Sequence, residues 1–472
     1  MLNFSHTDDT ICAPATIQGK AALAVIRISG AKAKQIISEI FTPLRHREQW
    51  TAEGYKLHYG TIYNNHSHVD DVLVSVFSAP HSYTGEDSVE ISCHGSQYIV
   101  QEILKLLLAH GARLAKAGEF TQRAYLNGKL DLSQAEAVAD LIASSSRAAH
   151  QLAVSQMKGS YAKELGDLRA QLLHFSAMME LELDFAEEDV EFANREELQK
   201  LAHTILARIE HLTNSFGVGN AIKNGVPVCI AGEPNVGKST LLNTILNEER
   251  AIVSDIAGTT RDVIEDTIII DGITFRFMDT AGIRSTENHV EQLGINRTFA
   301  KIEQAAIVLL LVDAAQSMSC IEHNIAAIQQ RLQPHQHLIT VVNKIDLITG
   351  EQQKTQLTTQ LASQLGKNAS IVCISAKRQE HIHELTQLLL EKTHIADCGE
   401  NDIILSNARH YECLLNAAES LTTVLQGLQQ GISNDLVCID LRHTLHLIGE
   451  ITGSITNDET LSHIFKHFCI GK

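Results

Sequence analysis

Apolar residues follow two rhythms along this chain. Short runs rich in β-branched residues predict buried strands at 23–28 (LAVIRI), 72–77 (VLVSVF), 89–93 (VEISC), 226–231 (VPVCIA), 307–312, 338–342 and 371–374. Residues 268–270 and 274–278 read as two strands that flank Asp271-Gly272, a dipeptide suited to a tight hairpin. Longer stretches repeat apolar positions every three or four residues. They predict helices at 99–108, 133–159, 160–182, 409–428 and 436–448.

The order of these elements divides the chain. The first part is α+β, and after Leu130 the pattern turns helical. Between 223 and 395 strands and helical stretches alternate. That alternation predicts a doubly wound, mostly parallel sheet with its ligand at the carboxyl ends of the strands. Helical blocks lie on both sides of this segment, so the simplest architecture inserts the sheet domain into a helical domain built from two pieces. The expected parts are residues 1–127, 128–222, 223–395 and 396–472, an α/β multidomain chain.

Four strings give the central segment a ligand. They are GEPNVGKST from Gly232 to Thr240, DTAG at Asp279, Thr280, Ala281 and Gly282, NKID from Asn343 to Asp346, and SAK at Ser375, Ala376 and Lys377. The first joins a buried strand to a helix through a loop with little side-chain bulk. Backbone N–H groups of Asn235, Val236, Gly237 and their neighbours then face phosphates, Lys238 reaches the β and γ oxygens, and the Ser239 hydroxyl is placed for Mg2+. Asp346 can accept from both N1–H and the exocyclic amine of guanine, a donor pair that adenine lacks. Asn343 and Lys344 support the base pocket, and Ala376 offers a backbone N–H to the guanine carbonyl. The expected ligand is therefore GTP in a Ras-like G domain.

Catalysis must differ from the Ras type, which places a water-orienting glutamine directly after DTAG. Here that position is Ile283, which has no polar atom to offer. Asn235 in the phosphate loop, with the segment Ser254, Asp255, Ile256, Ala257, Gly258, Thr259 and Thr260 folded over it, could hold a monovalent cation instead. A potassium ion there would neutralise charge developing between the β and γ phosphates. Thr260 is the natural second Mg2+ ligand, and Gly282 the γ-phosphate sensor.

Beyond these G motifs, AVIRISG at 24–30, SYTGEDSVEISCHG at 82–95, GEFTQRAYLNGKLDLSQAEA at 118–137 and FCIGK at 468–472 resemble the MnmE (TrmE) family of bacterial tRNA-modification GTPases. The resemblance covers essentially the whole chain. It implies a potassium-activated, dimerising GTPase that works with the flavoprotein MnmG in a heterotetramer. Together they would attach an aminomethyl or carboxymethylaminomethyl group at C5 of a wobble uridine. It further implies K+ ligands Asn235, Ser254, Ile256 and Thr259, Mg2+ ligands Ser239 and Thr260, and a catalytic Glu291 that orients water through a bridging water. Ser254 stands where a threonine is frequent. The N-terminal part would bind 5-formyl- or methylene-tetrahydrofolate through Arg27, Glu90 and Lys129 together with Lys472 of the tail, and Cys469 would act in the modification itself.

Some features carry less. His463 and His467 have metal-ligand spacing, but that is equally the spacing of one helix face. Glu187, Glu188, Asp189 and Glu191 read as a solvated face or loop. The formal net charge of −18, without a long basic run, predicts that the partner supplies most of the basic surface for tRNA. Nine cysteines with no CxxC pair, together with a polar N-terminus, predict a cytoplasmic protein. The rival reading is a ribosome-assembly GTPase switch. That class would be expected to carry a basic RNA-binding module in place of the first domain and FCIGK.

Overall fold

A computed structural model describes residues 9–17, 19–44, 52, 54–65, 67–184, 195–249, 266–278, 301–334, 336–348, 350, 359–361, 370–393, 402–466 and 468–471. They form two compact units. One comprises Met1–Ala143, Val154–Ala207 and Asn416–Lys472, and the other Ser144–Ala153 and Arg208–Leu415.

The first unit opens with β1 (Thr10–Pro14), β2 (Leu23–Ser29), α1 (Ala33–Ile40), β3 (Phe41–Pro43), β4 (Lys56–Asn64), β5 (Ser67–Phe77), β6 (Ser88–His94), α2 (Gln97–Ala109), β7 (Ala112–Leu114) and α3 (Glu119–Leu126). Its strands form one sheet in the order β3-β4-β5-β6-β2-β1-β7. Pairing is antiparallel throughout except between β1 and β7. The period-two alternation sends Ile26, Ile28, Val72, Val74, Val76, Val89 and Ile91 to one face, where Ile36 and Ile37 of α1 and Ile103 and Leu107 of α2 cover them.

Helices follow: α4 (Leu132–Ala143), α5 (Arg147–Met157), α6 (Ser160–Asp184), α7 (Arg195–Asn214) and α8 (Phe216–Asn224). The expected helix over 133–159 is thus two helices. The break falls at Ser144, Ser145 and Ser146, where the Ser146 hydroxyl accepts from the Ala149 N–H at 3.2 Å and starts a new helix. On α6, Leu165, Leu168, Leu172, Phe175 and Met179 recur at three- and four-residue steps and are fully buried. Truncating any one of them to alanine would cost about 2–5 kcal/mol.

The second unit is built on β8 (Val226–Ala231), α9 (Lys238–Glu249), β9 (Asp266–Ile270), β10 (Ile273–Met278), β11 (Ile307–Asp313), α10 (Met318–Gln329), β12 (His337–Asn343), β13 (Ser370–Cys373) and α11 (Ile382–Glu391). The strand order is β13-β12-β11-β8-β10-β9, parallel except for β9. Asp271 and Gly272 both have positive φ, as the two-residue hairpin between β9 and β10 requires. Odd and even positions of the buried strands feed two separate cores, so both faces of the sheet are covered. This is a Ras-like G-domain fold.

Three helices complete the described chain: α12 (Ala408–Gln430), α13 (Asn434–Thr452) and α14 (Asp458–Phe465). In the first unit α13 lies along α6, with Arg442 bonded to Glu180 at 2.8 Å. Leu461, Ile464 and Phe465 of α14 pack on Leu132 and Ala135 of α4.

Candidate functional site

The phosphate loop is shaped by two glycines whose neighbours leave no space for a side chain. A Cβ on Gly232 would lie 2.4 Å from the Leu311 carbonyl oxygen, and one on Gly237 2.3 Å from Asn343 Nδ2. Both residues have positive φ, as does Asn235 at the exposed crest of the loop. Lys238 opens α9 and folds back, donating to the carbonyls of Gly232 at 2.6 Å and Glu233 at 2.9 Å. Burial lowers its pKa, and the charge of Glu233 opposes that shift. The ammonium is thus held against the carbonyls at the start of the loop. Ser239 and Thr240 follow in the first turn of α9, and Val236 is buried beneath the loop.

The base-binding strings at the ends of β12 and β13 are locked to that loop. Asn343 is buried; its Nδ2 donates to the Val236 carbonyl at 2.8 Å, and its Oδ1 accepts from the Ala376 N–H at 3.0 Å. Lys344, in a left-handed conformation, donates to the Asn235 carbonyl at 2.8 Å and to Asp313 Oδ2 at 2.6 Å. Asp346 accepts from the Ser375 hydroxyl at 2.7 Å. That bond, with Arg378 and Lys377 nearby, holds its carboxyl below the usual value despite some desolvation. A carboxylate fixed in its ionised form is what two guanine donors need. Thr244 Oγ1 donates to the Ala376 carbonyl at 2.9 Å and ties α9 to the same corner, while Lys377 is exposed.

A second constellation lies on the first unit. Arg27 and Glu90 are direct partners across β2 and β6, and Arg27 Nε and Nη2 both reach Glu90 Oε1, at 2.9 and 2.8 Å. The guanidinium lies 5.1 Å from the Tyr83 ring centre and 5.7 Å from that of Phe120. Its Nη1 donates to the Gly471 carbonyl at 3.4 Å. Tyr83 belongs to the 80–85 loop, and Lys129 donates to Pro80 in that loop at 3.1 Å. The tail is anchored at Cys469 and at Gly471. The Gly118 N–H donates to the Cys469 carbonyl at 3.4 Å, and Gly471 is seated against Pro14. The Cys469 thiol itself is exposed.

Comparison with known proteins identifies the family. The model of the MnmE helical domain matches residues 132–469, and that of the GTP-binding protein TrmE N-terminus matches residues 10–129. The tRNA modification GTPase MnmE of Bacteroides fragilis is 53% identical over 468 residues, covering 98% of this chain and 99% of that protein. The chain belongs to the MnmE family. The MnmE of Bacteroides thetaiotaomicron is 55% identical over 465 residues, with the same 98% and 99% coverage. Among solved structures, a variant of Era from Aquifex aeolicus bound to GDP and AlF4− is 27% identical, over 41% of this chain and 66% of that one, with a TM-score of 0.29. As an MnmE-family member the chain is a GTP hydrolase.

The structure brings together Asn235, Val236, Gly237, Lys238, Asn343, Lys344, Asp346, Ser375 and Ala376, and separately Arg27, Glu90 and the Cys469 tail. Residues 254–260, Asp279, Thr280, Ala281, Gly282, Glu291 and Lys472 lie outside the described residues, as do His467 and the acidic residues 187–191. Sequence reasoning missed Asp313, Tyr83 and Phe120. Asp313 ends the apolar run of β11, directly beside the base-binding strand, and both aromatics sit inside strings that carry the family resemblance.

Proposed function

We propose that this chain is a potassium-activated GTPase that modifies tRNA together with an MnmG-type FAD protein. In a heterotetramer the pair installs aminomethyl or carboxymethylaminomethyl groups at C5 of the wobble uridine, using a tetrahydrofolate one-carbon unit. Family membership supports the general activity, and the resemblance supplies the finer chemistry. The parts assigned are an N-terminal folate-binding and dimerisation domain (1–127), a helical domain in two pieces (128–222 and 396–472), and an inserted G domain (223–395). The cytoplasm is the proposed location.

The phosphate loop suits an anion, since Gly232 and Gly237 carry no side chain and Lys238 is held at the loop's own carbonyls. Ser239 and Thr260 would hold Mg2+. Asn235, Ser254, Ile256 and Thr259 would hold K+. The Asn235 backbone oxygen already accepts from Lys344, so its side-chain amide is the group on offer. Potassium, when bound, supplies positive charge beside the β–γ bridge. Asp346 selects guanine, Lys238 turns from loop carbonyls to phosphate oxygens, and Glu291 orients water.

The observation that carries the modification reading is the seating of the Cys469 tail beside Arg27 and Glu90. That seat gives an exposed thiol a fixed place next to the proposed folate residues, which nucleotide hydrolysis alone does not require. With a net charge of −18, grip on tRNA is assigned chiefly to the complex. The test is nucleoside mass spectrometry of bulk tRNA from cells lacking this protein, complemented with wild type or Cys469→Ser. Loss of C5-modified wobble uridine that only wild type restores is expected. Unchanged modification in the deletion would hand the chain to ribosome assembly.

A further inference from the structure

Glu233, the second residue of the phosphate loop, has no part in the nucleotide chemistry described above, yet its carboxylate is heavily engaged. Oε2 accepts from Gln316 Nε2 at 2.7 Å. Oε1 accepts from Asn324 Nδ2 at 2.9 Å and from the Cys320 thiol at 3.3 Å. Gln316, Cys320 and Asn324 are four residues apart, so from just before α10 into its second turn they form one stripe facing the loop. The adjacent face carries Ile321, Ile325 and Ile328 into the core, which makes α10 a fixed support.

The contacts continue beyond the helix. Gln316 Oε1 accepts from the Asp313 N–H at 3.3 Å, Asp313 Oδ2 accepts from Lys344 Nζ at 2.6 Å, and Lys344 returns to the Asn235 carbonyl at 2.8 Å. This closes a ring that leaves the phosphate loop at Glu233 and re-enters it at Asn235, passing through the guanine-recognition lysine. The Glu233 carbonyl is also one of the two oxygens that hold Lys238.

We propose that Glu233 is a positioning residue for GTP binding, which tethers the phosphate loop to α10 through Gln316, Cys320 and Asn324 and couples it to the guanine-recognition loop. With the tether made, the loop keeps one shape whether or not phosphates fill it, and the cost of ordering it is met before the nucleotide arrives. With the tether cut, the loop must be ordered by the nucleotide, and bound nucleotide leaves faster. The inference rests on the GTP-binding reading of this site.

The experiment uses the purified full-length protein and release of a fluorescent GDP into excess GDP. Asn324→Ala leaves the apolar face of α10 intact and removes one hydrogen bond to a charged group, so release is expected to accelerate about ten-fold. Glu233→Ala should accelerate it at least as much, and the double variant no more than Glu233→Ala, since both cut one network. In both single variants KM for GTP should rise by a larger factor than kcat falls. Cys320 gives an independent readout. Its thiol donates to Glu233, which holds its pKa up, so Glu233→Ala should speed its alkylation, followed at that cysteine by peptide mass spectrometry.

Release within two-fold of wild type in both single variants, fully multiplicative effects in the double, or unchanged Cys320 alkylation would each overturn the tether. If wild type itself fails to bind the fluorescent GDP, the nucleotide reading falls and the tether with it. Normal binding with unaffected release removes the tether alone.

Discussion

Replacing Gly471 with alanine tests whether the tail is seated as the structure shows. Gly471 has φ of +97°, and a Cβ there would stand 2.1 Å from the Pro14 carbonyl oxygen. Both partners are backbone, so no side-chain rotation relieves the overlap. Left-handed backbone costs an ordinary residue about 1–2 kcal/mol, and displacing the Gly471 carbonyl from Arg27 forfeits about 1.5 kcal/mol, the low end for a bond to a charged group, given its 3.4 Å length. The sum of about 3 kcal/mol lowers the docked-to-undocked ratio by roughly a hundred-fold. Hydrogen exchange is the direct assay. Amides near Cys469 and the Gly118 N–H, which donates to the Cys469 carbonyl, should exchange faster in Gly471→Ala. Wobble-uridine modification should fall in parallel, while GTP hydrolysis provides the internal control. Unchanged exchange at Gly118 and around Cys469 would refute the seat.

Three further outcomes are expected. Glu291→Ala should lose most GTP turnover yet keep nucleotide affinity, and wild type should hydrolyse faster in K+ than in Na+ at equal ionic strength; equal rates in the two salts would remove the cation from the mechanism. Burial tends to raise the Glu119 pKa, but its hydrogen bonds to Arg113 and the Lys116 N–H, with the charges of Arg113 and Arg123, prevail and hold it below the usual value. A depressed folded pKa means that this stabilisation is complete above the unfolded carboxylate value and is lost as pH falls through the folded one. Calorimetry of wild type should therefore show a melting transition that weakens on acidification, with a shallower dependence in Glu119→Gln; identical slopes would contradict the assignment.

The G domain was the most legible part of the sequence. β8 occupies residues 226–231 as its apolar run predicts, and β11 and β12 extend their predicted spans by one or two residues, because buried parallel strands are apolar on both faces and need no partner to be seen. The N-terminal sheet was legible only in its centre. On β4 the outward positions include Leu57 and Tyr59, both exposed, and an inward one is Gly60, so alternation by hydrophobicity is lost. β1 contains a proline that sits at its end, and β3 and β7 are three residues each, too short for any period to register. In the candidate site, motif residues were readable because each lies in a short contiguous string whose spacing is visible in the sequence. Glu233, Gln316, Asp313 and Asn324 were not, since their role appears only when β11 and α10 bring separate segments to the loop.

The tail's seat also sets a timetable for synthesis. Arg27 lies 444 residues before the carbonyl it finally holds, and Tyr125 lies 328 residues before its own partner, Gly453. At about 5–20 residues per second, the first sheet, complete at Leu114, waits roughly 20–70 s before Gly471 is made. A fragment that stops before residue 468 would keep the Arg27–Glu90 pair but lack the Gly471 carbonyl that Arg27 holds. Segments that meet in the folded chain are thus separated by most of its length, and the seat forms only after the helices and the sheet domain between them have been made.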